Sequence, residues 1–220
     1  MRIQTIQDIL NLGENHTQTS ATNPIREDAF AISDDEKIEI IRGHFAKILD
    51  TLGLDLQDDS LSGTPYRLAK MYVKEIFSGL NPDNKPVITL FENKFSYGEM
   101  IVEKNITLHS ICEHHFVPII GKVHIAYISN GNIIGLSKIN RIVQYYAQRP
   151  QVQERLTIQI GQELSQALDT PHVAVIVDAK HYCVAMRGVQ DQTTTTVTSD
   201  FKGNFLNMDK RAELLKYLTI

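Results

Sequence analysis

The strongest constraint on the fold is a change of hydrophobic period near residue 87. Upstream, apolar residues recur at helical spacing. Ser33 followed three residues later by Glu36 has the form of a capping box, and Ile38, Ile41, Phe45, Ile48, Leu49 and Leu52 then make one stripe that Gly53 can terminate. Thr64 as N-cap and Pro65 at the first helical position open a second helix, with Leu68, Met71, Tyr72 and Ile76 as its buried stripe and Gly79 as its stop. From Val87 the chain is rich in β-branched residues, in "MIVEKNITLHS", "GKVHIAYISNGNIIGLS" and "HVAVIVDAKHYCVAMRGV", with Asn130-Gly131 as a hairpin turn. Between the second and third of these, Ser137 caps a helix buried through Ile139, Ile142, Val143 and Tyr146. Pro150 resets the chain, and Leu156, Ile160, Leu164 and Leu168 form the next stripe. "TTTTVTS" reads as a further strand and "DKRAELLKYL" as a last helix. Strands, two helices, then strands predict an α+β fold: an antiparallel sheet with helices on one face, preceded by an N-terminal helical pair.

The 220 residues suffice for one good-sized core plus an extension. Residues 1 to 32 hold a short amphipathic piece (Ile3, Ile6, Ile9, Leu10) and a polar tract that reads as loop or disorder. A formal net charge of −4 gives no general attraction to nucleic acid or anionic membrane, so any anionic ligand must be met locally. The longest uninterrupted aliphatic run, Val173 to Val177, is far below the roughly 18 residues of a membrane helix. The start lacks the regions of a secretory signal. A soluble, cytoplasmic protein is therefore expected, and two cysteines are too few for a disulfide framework.

The chemistry concentrates in "HSICEHHFVP", His109 to Pro118, which holds one cysteine and three of eight histidines. Two residues separate Cys112 from His115, so a tight turn can bring a thiolate and an imidazole onto one ion, as zinc accepts. Cys183, the other cysteine, supplies a third ligand if the sheet brings its strand alongside. Three protein ligands leave a coordination position for water, the arrangement of a catalytic zinc. The same spacing also suits two small buried hydrophobes and a hydrogen-bonded turn histidine, and spacing alone does not choose. His114 adjoins one proposed ligand. His181 lies two before Cys183, so on a strand both project from one face. An imidazole with a pKa near 6.5 that stands beside a metal without binding it can carry protons for a substrate. His16, His44, His109, His124 and His172 receive no role.

A second constellation suits an anion. Lys138 and Arg141 are neighbours on a face distinct from the apolar stripe, beside Ser137 and the helix amides. Arg187 follows Cys183 by four residues, and Arg67 and Lys70 are again three apart. A solvated helix face explains each pair as readily. Glu154 offers a carboxylate to paired N–H donors such as those of guanine, or simply complements a helix dipole.

Together "CEHHFVP", "GKVHIAYI", "IGLSKINRIVQYYAQRPQVQERLT" and "HYCVAMRGV" resemble the GTP cyclohydrolase I family, from about Thr64 to Phe205. That resemblance implies a hydrolase that converts GTP to 7,8-dihydroneopterin 3'-triphosphate and formate, the first step of tetrahydrofolate and related pterin synthesis. It implies Cys112, His115 and Cys183 as ligands of one zinc ion per subunit, and His114 and His181 as the acid–base pair. Glu154, helped by Gln153, holds the guanine; Ser137, Lys138, Arg141 and Arg187 hold the triphosphate. Arg67 and Lys70 lie on a helix that reaches a neighbouring subunit's site. The implied architecture is the tunnelling fold (T-fold), assembled as a homodecamer of two pentameric rings with active sites at subunit interfaces. Residues 1–80 are then an N-terminal helical extension, partly disordered over 1–32, and residues 81–220 the T-fold catalytic domain. Phe201 departs from the pattern where an aliphatic residue is expected.

Two rivals remain at this stage. A sister enzyme acting on a pterin or deazapurine is expected to lack either the Cys112/His115/Cys183 set or the Ser137/Lys138/Arg141 set, and both are present. A non-catalytic nucleotide-binding or zinc-stabilised assembly protein has no need of two further imidazoles beside the metal.

Overall fold

A computed structural model describes residues 5–6 and 19–219. Of the N-terminal amphipathic set, Ile3, Ile9 and Leu10 lie outside the described residues. The tract expected to be loop or disorder is held down where it is described. Asn23 is buried, its amide donates to Pro150 O at 2.7 Å, and its oxygen accepts from Gln159 at 3.1 Å. One carboxamide there satisfies backbone and side-chain groups that burial would otherwise orphan.

Helix α1 (Asp34–Thr51) opens with the capping box: Ser33 Oγ accepts from Glu36 N–H and the Glu36 carboxylate accepts from Ser33 N–H. Its apolar stripe is less buried than its spacing predicts. Ile38 is buried, whereas Ile48 and Leu52 are 52% and 71% exposed. The helix packs on α3 (Thr64–Met71) and has no sheet beneath it. The short α2 (Asp59–Ser62) lies between, capped by Asp58. Gly63, not Thr64, occupies the cap position of α3, and the Thr64 hydroxyl accepts from Arg67 at 2.7 Å. The chain then passes through a π-helical turn (Tyr72–Ile76) and a 3-10 turn (Ser78–Leu80), so Gly79 does not end the helix. Its smallness serves contact: a Cβ there would collide with the carbonyl oxygen of Tyr145, and its N–H donates to Gln148 O at 3.0 Å.

The main sheet joins β2 (Met100–Cys112), β3 (Pro118–Ile128), β5 (Pro150–Gln151), β6 (Val173–His181) and β7 (Thr196–Phe201) in the order β5-β2-β3-β6-β7. Every pairing is antiparallel except the two-residue β2–β5 contact. A separate ribbon pairs β1 (Leu90–Glu92) with β4 (Asn132–Ile134). Gly131 does turn, at φ +93°, but it returns the chain onto β1 instead of closing a β3–β4 hairpin; Gly131 O accepts from Asn93 N–H at 2.9 Å.

Helices α4 (Leu136–Ala147) and α5 (Gln153–Leu168) cover one face. Ile139, Ile142, Val143, Leu156, Ile160, Leu164 and Leu168 pack there on Val123, Ile125, Val175 and Val177. The other face is not bare. Helix α7 (Met208–Leu218) and the 3-10 turn before it set Leu214 and Phe205 on Met100, Ala126, Ile128, Ala174 and Ile176. Helices on one face is thus corrected, and the local sequence carries the reason: Ile125 to Ile128 are four consecutive buried residues, which a strand shows only when covered on both sides. Phe201 lies at this second core, with the Arg211 guanidinium 4.3 Å from its ring centroid. Among the described residues no helix is long and apolar enough to cross a membrane.

Candidate active site

Strand order brings the cysteines together. β2 and β6 both pair antiparallel with β3, so they run in the same direction and end at the same edge of the sheet. Ile111 faces Pro118, and the next β3 residue, Ile119, faces His181. Cys112, at the end of β2, and Cys183, just past the end of β6, therefore flank the start of β3. Cys183 is not on the strand. β6 stops at His181, and Tyr182–Ala185 form a single helical turn, α6. His181 and Cys183 therefore do not share a strand face, but the turn still brings the sulfur back towards that of Cys112.

His115 arrives from the tight turn after Cys112. Phe116 N–H donates to Cys112 O at 3.0 Å, Cys112 N–H donates to Val117 O at 2.9 Å, and Phe116 takes φ +52°. Donor atoms of Cys112, His115 and Cys183 all lie within 4.8 Å of one another. Bonds of about 2.0–2.3 Å to one ion place two donors no more than roughly 4.6 Å apart, so small side-chain rotations close the set. Burial, and then the charge of Cys112, pushes the Cys183 thiol up. A thiophilic dication held by these residues would relieve that repulsion, and the donor set fits zinc.

The two other imidazoles stand beside this group. His114 Nδ1 is 3.9 Å from Cys112 Sγ, and its Nε2 is 3.6 Å from the Glu113 carboxylate. His181 shares a cleft of about 230 Å³ with Gln153, Glu154, Val184, Thr194 and Thr196. Burial lowers the pKa of His181, and the nearby Glu154 charge opposes that shift. Glu154 is exposed in the first turn of α5, and Arg187 is near enough to Cys183 to favour its thiolate. The expected help of Gln153 to a guanine has no side-chain hydrogen left to give it, since its amide group donates to Val177 O, Thr196 O and Thr198 Oγ1.

Ser137, Lys138 and Arg141 are not among the residues that line this cleft. Gly135 caps α4 and Ser137 lies in its first turn without a side-chain cap bond. The other end of α4 adjoins the thiol group: Ser110 Oγ donates to Ala147 O at 2.7 Å. Ser137 is ten residues from Ala147, about 15 Å along a helix. Arg141 lines a different cleft, with Asn84, Pro86, Gln144, Tyr145 and Gln148. Arg67 and Lys70 are exposed on α3, and Arg67 also donates to Ser60 O.

Two residues that sequence reasoning passed over hold the turn. Arg155, 4% exposed, pairs with the Glu113 carboxylate and donates to Gln151 Oε1, Pro150 O and Ser20 O. Glu113 N–H donates in turn to Gln151 O at 3.0 Å. An arginine one position before the Leu156 stripe was the available signal. Of the histidines left without a role, His124 Nδ1 accepts from Asn105 N–H at the bulge in β2, and His172 Nδ1 accepts from Asn204 N–H.

Fold and site together define an α+β protein in which Cys112, His115 and Cys183 could hold a metal ion, with His114 beside Cys112 and His181 in a cleft with Gln153 and Glu154. A family model described as GTP cyclohydrolase I matches residues 41–219. The GTP cyclohydrolase 1 of Flavobacterium johnsoniae is 57% identical over 215 residues, 97% of this chain and 96% of that protein. That of Aeromonas salmonicida is 54% identical over 188 residues, 85% of this chain and 86% of that protein. A solved archaeosine synthase QueF-like chain in the apo form overlays 50% of this chain and 98% of its own, with TM-score 0.42 and 16% identity. The chain belongs to the GTP cyclohydrolase I family.

Proposed function

We propose that this chain hydrolyses GTP at C8 of the base, releasing formate and forming 7,8-dihydroneopterin 3'-triphosphate, as the first step of tetrahydrofolate and related pterin synthesis in the cytoplasm. The observation that carries the reading is the convergence of Cys112, His115 and Cys183 from two strand ends in a chain of this family. These residues hold one zinc ion per subunit. When bound there, zinc supplies Lewis acidity that brings the pKa of a coordinated water towards about 7.

The other side chains bind the nucleotide and move its protons. Glu154 accepts the paired N–H groups of guanine. His181 gives a proton to the imidazole-ring nitrogen of the base, which opens C8 to attack by water. His114 and His181 serve the later transfers, as the ring opens to a formamide and a second hydrolysis releases formate. Two waters enter and one leaves when the new ring closes, so the net uptake is one water. Ser137, Lys138, Arg141 and Arg187 hold the triphosphate, with Arg67 and Lys70 adding positive charge from a neighbour.

The 15 Å or so between Ser137 and the thiol end of α4 supports a site completed by adjacent subunits. We take the assembly to be a homodecamer of two five-membered rings built on the T-fold, with residues 1–80 as a helical extension and 81–220 as the catalytic domain. Metal-loaded protein incubated with GTP is expected to yield equimolar formate and, after iodine oxidation, neopterin fluorescence. GTP binding with neither product overturns the reading.

A further inference from the structure

Gln153 opens α5, is 1% exposed, and has a carboxamide whose orientation is fixed by its surroundings. Its nitrogen faces Val177 O at 3.1 Å, Thr196 O at 2.8 Å and Thr198 Oγ1 at 3.2 Å. Two of these are carbonyl oxygens, which only accept, so the amide nitrogen must be on that side and Oε1 on the other. Oε1 lies 2.7 Å from Nε2 of His181. An amide oxygen also only accepts, so the hydrogen in that contact belongs to the imidazole. A neutral ring with hydrogen on Nε2 keeps its lone pair on Nδ1.

We propose that Gln153 is a positioning residue that holds His181 in the Nε2–H tautomer, leaving the ring's lone pair on Nδ1. This rests on reading His181 as an acid–base group, and it gives Gln153 a role other than contact with the guanine. Bridging α5 to β6 and β7 requires only the amide nitrogen. The oxygen adds a further tie to β6, made to the His181 ring and not to backbone, and so fixes that ring as well. A metal-site neighbour ordered by an outer partner follows the same logic, in which the second nitrogen's hydrogen bond decides what the first can do.

The test is spectroscopic first. Zinc-loaded, full-length protein labelled with 15N-histidine is examined by two-bond nitrogen–proton correlation, with His181 assigned by the signals missing from His181→Gln. The neutral His181 ring is expected as the Nε2–H tautomer; the Nδ1–H tautomer overturns the proposal. This measurement needs no turnover, so it stands apart from whether the chain makes formate from GTP. In steady state, Gln153→Leu is expected to keep its zinc and lose about 10–100-fold in kcat with KM little changed. An unchanged kcat with a raised KM would make Gln153 a substrate contact and overturn the proposal. If Gln153→Leu does not fold, the wild-type spectrum alone decides.

Discussion

Cys183 and His114 both adjoin Cys112, and on the proposed reading their removal separates binding the metal from moving protons. Cys183→Ser takes away one of three donors; it is expected to lose zinc and activity together, read by metal analysis of the purified protein. Zinc at full occupancy in that variant refutes the ligand assignment. His114→Ala leaves all three donors in place and is expected to keep its zinc while kcat falls by about 10²–10⁴-fold, the usual scale for an acid–base group. At this scale the thiols were legible in the sequence, because a chain with only two cysteines and a two-residue spacing to a histidine offers few alternatives. Arg155 and Gln153 were not legible in these roles. A polar residue in the first turn of a helix is normally solvated, and only the packing of α5 against β6, β7 and the Cys112 turn puts both inside.

At the level of elements, periodicity located segments well and their partners poorly. The Leu156, Ile160, Leu164 and Leu168 stripe is wholly buried, because the sheet lies beneath it. The Ile48 and Leu52 end of the α1 stripe has the same spacing and is exposed, because no sheet does. Spacing records which residues share a face, not what meets that face. Gly79 makes the same point. Read locally it is a helix stop; in the fold it is a seat for the Tyr145 carbonyl. Gly79→Ala is therefore expected to destabilise by about 1–3 kcal/mol through overpacking, checked by urea denaturation. An unchanged midpoint sinks that explanation. A helix stop alone predicts little change, since Gly79 has no left-handed φ.

On the proposed reading the nucleotide site is completed only at the scale of the whole assembly. Glu154 and His181 line one cleft and Arg141 another, so an intact site on the proposed reading draws these groups from different chains. Mixed assemblies of His181→Ala and Arg141→Ala subunits, each inactive alone, are expected to recover formate production after co-folding. No recovery in verified mixed assemblies would place the triphosphate on the same chain as the metal. The mass of the intact assembly is expected to correspond to ten copies of a 24.9 kDa chain.

By itself the sequence determined the α+β class, the positions of most helices and strands, and the set of residue types able to hold zinc and move protons. These follow from local spacing and from chemistry that few side chains possess. Tertiary structure alone decided that Cys183 leaves its strand, that Gln153 turns its oxygen to His181, that α7 covers the second face, and that Ser137 lies a helix length from the end of α4 that meets Ser110. Each of these depends on which distant segment occupies the neighbouring space, and a linear pattern carries no record of that.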